Sequence, residues 1–229
     1  MKPWITLAAA PSPDGQLELR RRGAADYLIT LDGRVIMGSS ANRSERALGQ
    51  IAAQALPPAG GRLLIGGLGL GTTLRAALDE LGPADRPAEV IVAELNQVVV
   101  DWNQPPHGPL AQLHDDALAD PRVQVHTTDV AQLIAQAATA GASARYHAIA
   151  LDLHQGPNQA NRQALEPFYG STALELAHQA LHPGGLLAVW GEDPDPPFEK
   201  RLRRARFQVS RHRPTGGARR HVITLAQRR

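Results

Sequence analysis

The chain has 229 residues, no cysteine, 43% hydrophobic residues and 4% aromatics. That length suits one domain with a small appendage and a real core, and the missing cysteine excludes a disulfide scaffold, a thiolate zinc site and a cysteine nucleophile. The formal charge of +2 hides an asymmetry, because residues 1–199 hold 13 basic and 22 acidic side chains while residues 200–229 hold 11 basic and no acidic ones.

No apolar run approaches the ~20 residues that a membrane helix needs, and Met1–Ala10 lacks a signal-peptide pattern. A soluble, cytoplasmic protein without a membrane partner is therefore expected. The basic segment admits two readings: a footprint for nucleic acid, or the solvated faces of the last helix and strands.

In chain order, Leu17 and Leu19, then Tyr27, Ile29 and Leu31, alternate with the period of two of half-buried strands. With Arg34–Met37 they predict short antiparallel strands, punctuated by Gly23 and the Asp32-Gly33 turn dipeptide. Arg43–Leu56 carries Ala47, Leu48, Ile51, Ala52 and Ala55 on one helical stripe, which Pro57-Pro58 stops. Residues 1–58 are thus expected to be a small β element with a connecting helix, and residues 59–229 the main domain.

From Gly60 onward, short aliphatic runs alternate with Ala-, Leu- and Gln-rich stretches. The runs are Arg62–Gly67, Glu89–Ala93, Val123–His126, His147–Leu153 and Leu186–Trp190. The helical stretches between them are Thr72–Leu81, Gln97–Gln104, Val130–Thr139 and Ala173–Leu181. That alternation predicts βαβ units and a parallel sheet covered on both faces. A Pro-rich loop (Asp193–Pro197), a basic helix (Phe198–Arg206) and two strands joined through Thr215-Gly216-Gly217 complete the reading. The apolar positions Phe207, Val209, Val222, Ile223 and Leu225 make this segment part of the sheet, so its arginines are expected mostly on outer faces and nucleic acid is not the expected partner.

The strongest local signal is Leu63-Leu64-Ile65-Gly66-Gly67-Leu68-Gly69-Leu70-Gly71-Thr72-Thr73, a buried strand running through glycines into a helix. Glycines permit positive φ and close approach of a ligand to backbone, and the helix start offers unpaired N–H groups. Gly67, Gly69, Gly71 and Thr72 are therefore candidates to hold a nucleotide-type ligand; a tight turn without ligand is the alternative. Glu94 closes the next strand, where a carboxylate can accept hydrogen bonds from ribose hydroxyls or cap a helix. Asp129 ends the third run and can meet an adenine amino group, cap the following helix, or do both. Asp152 follows Ala148-Ile149-Ala150-Leu151 at the edge where open α/β sheets bind ligands, which suits catalysis or amine binding; a structural hydrogen bond is the alternative.

Together these residues resemble the spermidine/spermine synthase family, within the class I S-adenosylmethionine-dependent transferases, as a divergent member. The likeness covers the Tyr27–Gly33 strand and turn, the Gly66–Gly71 loop, Glu94, Asp129, Asp152, Phe168-Tyr169, and Ala180-Leu181-His182-Pro183-Gly184-Gly185. It implies a Rossmann-like, mostly parallel seven-stranded α/β sheet with an antiparallel last strand. It also implies Tyr27, Glu45 and Gln155 on the substrate side, and it admits a homodimer.

Three departures stand out. The family's GGGDGG loop places an aspartate where Gly69 stands; its D-S-x-D-P segment reads Asp152-Leu153-His154-Gln155-Gly156-Pro157, with Gln155 for the second aspartate; and Ile36 replaces a glutamine. The loop aspartate suits the ammonium of decarboxylated S-adenosylmethionine and would repel the carboxylate of the intact molecule. Glycine there, with backbone N–H groups around Leu70–Thr72, suits the carboxylate.

The leading expectation is a methyltransferase using S-adenosylmethionine on a small or peptidic amine, hydroxyl or carboxylate acceptor. Asp152 orients or deprotonates the acceptor, and His154 is the neighbouring side chain of a type suited to general-base work near neutral pH. The alternatives are a polyamine aminopropyltransferase using the decarboxylated donor, and an inactive ligand- or nucleic-acid-binding regulator. No metal site is expected: His178 and His182, spaced i, i+4 in the helical reading, lack a third ligand.

Overall fold

The computed structural model describes residues 2–154, 156–157, 168–214 and 221–229. Its first part is an antiparallel sheet of four strands in sequential order: β1 (Ile5–Ser12), β2 (Gly15–Arg22), β3 (Asp26–Leu31) and β4 (Arg34–Gly38). The alternating residues act as expected, since Leu17, Leu19, Tyr27 and Ile29 are all buried. Strand β1 has no such pattern in its ITLAAAPS sequence. It forms because the turn at Pro13-Asp14 folds it back onto β2, with Ser12 opposite Gly15.

Helix α1 (Arg43–Gln54) then packs on α2 (Thr72–Leu81). The crossing is tight at Gly49, where an added Cβ would lie 2.2 Å from the Thr73 carbonyl oxygen. That closeness brings the start of α1 beside the start of α2.

The second part alternates strand and helix: β5 (Arg62–Gly66), α2, β6 (Glu89–Glu94), α3 (Gln97–Asn103), β7 (Val123–Thr127), α4 (Val130–Thr139), β8 (Tyr146–Leu151), α5 (Ser171–Ala180) and β9 (Leu181–Gly191). Helix α6 (Pro196–Arg204) and strands β10 (Phe207–His212) and β11 (Val222–Arg228) complete it. The seven-stranded sheet has the order β10-β11-β9-β8-β5-β6-β7. Strands β5 to β9 are mutually parallel, and β11 runs antiparallel to β9 and β10 between them. This is the Rossmann-like class I methyltransferase fold.

Leu63, Leu64 and Ile65 of β5 are fully buried, alternating between the two hydrophobic clusters on opposite faces of the sheet. Each such side chain contributes about 1.5–3 kcal/mol. After β5 the chain proceeds to β6 and β7 on one side and returns through β8 on the other. The strand order therefore reverses beside β5, and a crevice opens at the carboxyl ends there.

Three local readings change. Pro196 and Pro197 belong to α6 rather than to the preceding loop; Asp195 caps the helix by accepting the Phe198 N–H at 2.9 Å, and a proline at N1 forfeits no helical bond. His182 lies in β9, not on a helix with His178. Residues 182–185 form an excursion between the pairs Tyr146–Leu181 and Ala148–Leu186, and the His182 ring stacks on His147. The basic segment is partly turned inward: Arg228 donates to the His178 carbonyl at 2.8 Å and so caps α5. Among the described residues no helix is long and apolar enough to cross a membrane.

Candidate functional site

A cavity of about 470 Å³ opens at the carboxyl ends of β5, β6 and β8. The main sheet brings Gly67, Gly69, Glu94, Asp129, Asp152 and His154 to its wall, while the small sheet contributes Asp14 and Met37. All the charged groups on that wall are carboxylates; no lysine or arginine is among the described lining residues.

The glycine loop is shaped by close approaches. Gly67 has φ +92°, and a Cβ there would sit 2.4 Å from the Asp152 carbonyl oxygen, so no side chain fits between the ends of β5 and β8. Gly69 has φ +51°, and its missing Cβ would lie 2.4 Å from Met37 Sδ. Gly71 is the N-cap of α2, whose first residue is Thr72. Neither Gly71 nor Thr72 lines the cavity. The Gly71 N–H donates to the Leu68 carbonyl at 2.8 Å, and the Leu70 N–H to Met37 Sδ at 3.2 Å. Two of the amides expected to receive a donor carboxylate are thus already bonded within the chain.

Glu94 ends β6 and ties the loop down. One carboxylate oxygen accepts the Leu68 N–H at 2.9 Å, the other the Asn96 N–H at 2.9 Å, and the residue is only 7% exposed. The Asn96 side-chain amide adds a longer third bond at 3.5 Å, so of about four acceptor directions on a carboxylate one remains for a hydroxyl group. Leu95, beside it, is exposed and gives the wall an apolar face. Asp129 is the N-cap of α4, accepting the Ala131 N–H at 2.8 Å while lining the cavity. Asp129 thus caps α4 and lines the cavity at once.

Asp152 sits just beyond β8, its N–H donating to the Gly66 carbonyl at 2.9 Å. Its side chain is buried and accepts the Thr73 hydroxyl at 2.5 Å. Burial first, and the nearby Glu45 carboxylate second, push its pKa from 3.8 to about 7, against the opposing pull of Thr73. A carboxylate held near neutrality can take up and release a proton at physiological pH. Asp152 therefore joins His154 as a side chain suited to general-base work. His154 lines the cavity from an exposed position.

Glu45 acts on Asp152 from the first turn of α1 without lining the cavity, and Ser44 Oγ donates to it at 2.7 Å. Glu45→Gln is expected to lower the Asp152 pKa by removing the like charge. Carbon NMR titration of the Asp152 carboxyl checks this, and an unmoved midpoint contradicts the coupling. Tyr27 is buried in β3 and does not line the cavity; Gln155 lies outside the described residues.

Four contributors escape the sequence reading. Thr73 had no role beyond the motif, although a hydroxyl at a helix start is a ready partner for a carboxylate. Asp14 was discoverable from its Pro13-Asp14-Gly15 turn signature. Leu95 and Met37 carry no local signal, since only the chain's folding brings them to the wall.

The fold has solved counterparts. A spermidine synthase from Thermotoga maritima superposes with a TM-score of 0.72 at 16% identity, over 98% of this chain and 73% of that one. A spermidine synthase in complex with the transition state analogue AdoDATO gives a TM-score of 0.69, also at 16% identity, over 98% of this chain and 72% of its own. No protein-family model and no curated protein matches the chain by sequence. The likeness is one of fold: a spermidine-synthase-like arrangement of the class I S-adenosylmethionine-dependent type.

Proposed function

We propose that this chain is an aminopropyltransferase that acts on a small amine with decarboxylated S-adenosylmethionine as donor. The observation that carries the reading is the wall's charge: Asp14, Glu94, Asp129 and Asp152 line it without a cation among the described residues. Such a wall favours ligands carrying ammonium groups and disfavours carboxylates. The solved neighbours of this fold named above are spermidine synthases, which agrees with that chemistry.

When bound, the donor supplies a sulfonium whose adjacent carbon accepts an amine nucleophile and whose leaving group is a neutral thioether. The chain's own part is to bind, orient and deprotonate. Glu94, with one acceptor direction left, serves a ribose hydroxyl, Asp129 serves the adenine amino group, and Leu95 offers an apolar face; all three line the cavity. Asp152 holds the acceptor nitrogen and takes its proton, for which a pKa of about 7 is suited. Thr73 fixes the orientation of that carboxylate. His154 and Asp14 line the same cavity.

Methyl transfer from intact S-adenosylmethionine is the second reading, and Gly69 favours it, because the loop presents no carboxylate to the donor's ammonium. Against it stand the bonded amides of Leu70 and Gly71. Calorimetric titration with both donors, followed by mass spectrometry of 1,4-diaminobutane incubated with each, separates the two. Tighter binding of the decarboxylated donor and an aminopropylated diamine are expected. Tighter binding of the intact donor with a methylated product overturns the reading in favour of the second.

A further inference from the structure

Met37, near the end of β4, reaches over the glycine loop from the small sheet. Its Sδ and Cε lie 2.4 and 2.6 Å from where a Cβ on Gly69 would stand, so it occupies the direction a side chain at position 69 would take. The same sulfur accepts the Leu70 N–H at 3.2 Å, and Met37 forms part of the cavity wall. On the loop's other side, Asn103 Nδ2 donates to the Gly69 carbonyl at 2.9 Å, holding that peptide in place. The loop therefore meets the cavity through a soft thioether rather than through a carboxylate or an open amide.

We propose that Met37 determines which donor this chain accepts, by filling the space over Gly69 and occupying the Leu70 N–H. The proposal rests on the aminopropyl-transfer reading. A donor tail ending in an ammonium meets a polarizable, weakly accepting sulfur, which tolerates a cation. A tail ending in a carboxylate finds neither the amide open nor room beside it. The departure from a loop aspartate and the methionine on β4 are then two halves of one arrangement, since an aspartate at 69 requires the end of the Met37 side chain to move away.

The test measures binding of decarboxylated and intact S-adenosylmethionine, and of methylthioadenosine, which lacks the tail, to wild type, Met37→Ala and Met37→Leu. Met37→Ala opens the amide to a carboxylate, so the preference for the decarboxylated donor is expected to fall by about tenfold, the worth of one hydrogen bond to a charged group. Methylthioadenosine affinity is expected to stay unchanged, and the near-isosteric Met37→Leu, which fills the space but cannot accept the Leu70 N–H, to give a preference between those of wild type and Met37→Ala. An unchanged preference in Met37→Ala, or an equal loss for all three ligands, overturns the proposal.

A second measurement uses no ligand. Gly69→Asp is expected to lower Tm, and adding Met37→Ala to restore it, because aspartate tolerates positive φ once the space is free. A loss that Met37→Ala leaves unrelieved overturns the shared-space premise. Binding of none of the three ligands by wild type overturns the donor reading, and this proposal with it. Binding of all three with an unaltered preference overturns this proposal alone.

Discussion

Asp152→Asn is expected to lower kcat by about 10²–10⁴-fold, the usual worth of a positioned general base, while leaving donor binding close to wild type. The substitution keeps the shape of the side chain and an oxygen to accept the Thr73 hydroxyl, and it removes only the ability to hold a proton. Stability separates this from a structural role. Folding raises the Asp152 pKa from 3.8 to about 7, so the native state retains a proton that the unfolded chain releases. The resulting stability is fully present below pH 3.8 and is lost as pH rises to about 7. The difference corresponds to about 4 kcal/mol. Above pH 7 the native protein carries a buried carboxylate, and the neutral asparagine relieves it. Tm of Asp152→Asn at pH 8 is therefore expected to equal or exceed that of wild type. The acid limb of the wild-type kcat profile should fall near pH 7 and vanish in the variant. Unchanged turnover removes Asp152 from the reaction, and a lowered Tm at pH 8 makes its role structural.

The opposed demands on Asp152 show why part of this site was legible in the chain and part was not. A charge after four apolar strand residues identifies the position, because burial of a carboxylate requires a reason. The same holds for the glycines that follow β5 and for Glu94 at the end of β6, whose neighbours in sequence are also their neighbours in space. Strands β5, β6 and β8 were readable for a related cause: each is buried on both faces and bounded by turn residues, so composition alone separates it from the helices, whereas the edge strand β7 is only partly buried. Glu45 and Met37 reach the site from elements some thirty to a hundred residues away, through the α1–α2 crossing at Gly49 and the placement of β4 over the loop. Nothing local to either residue marks that arrival.

The glycine at 69 shows how one observation supports opposite preferences. Its missing aspartate was visible, and open backbone amides were the natural inference for a donor carboxylate. Folding gives those amides other partners: Leu68 O receives one and Met37 Sδ the other. Strand β1 failed in the opposite sense, since its residues have little alternation and its pairing is imposed by the turn that follows. Both cases turn on backbone hydrogen bonds, which residue patterns specify only through the turns and contacts around them.

Glu94→Ala is expected to weaken methylthioadenosine binding by about 100-fold and to lower stability by about 3 kcal/mol, because two amide bonds to a buried carboxylate are lost together. The Leu68 N–H would be left without its acceptor at the turn that shapes the cavity, so the loop itself loosens. Glu94→Gln distinguishes anchoring from recognition. Its amide has one oxygen, so one of the two backbone N–H groups must face an N–H₂. That variant should lose less affinity than alanine yet remain below wild type. The ribose contact is read by repeating both measurements with the 2′,3′-dideoxy analogue of methylthioadenosine. Wild type should bind the dideoxy compound about tenfold more weakly than the parent, since a charged acceptor loses its hydroxyl donor. Glu94→Ala should bind the two alike, because the acceptor is already gone. An equal discrimination in wild type and variant would leave Glu94 as the tether of the glycine loop and assign the ribose elsewhere.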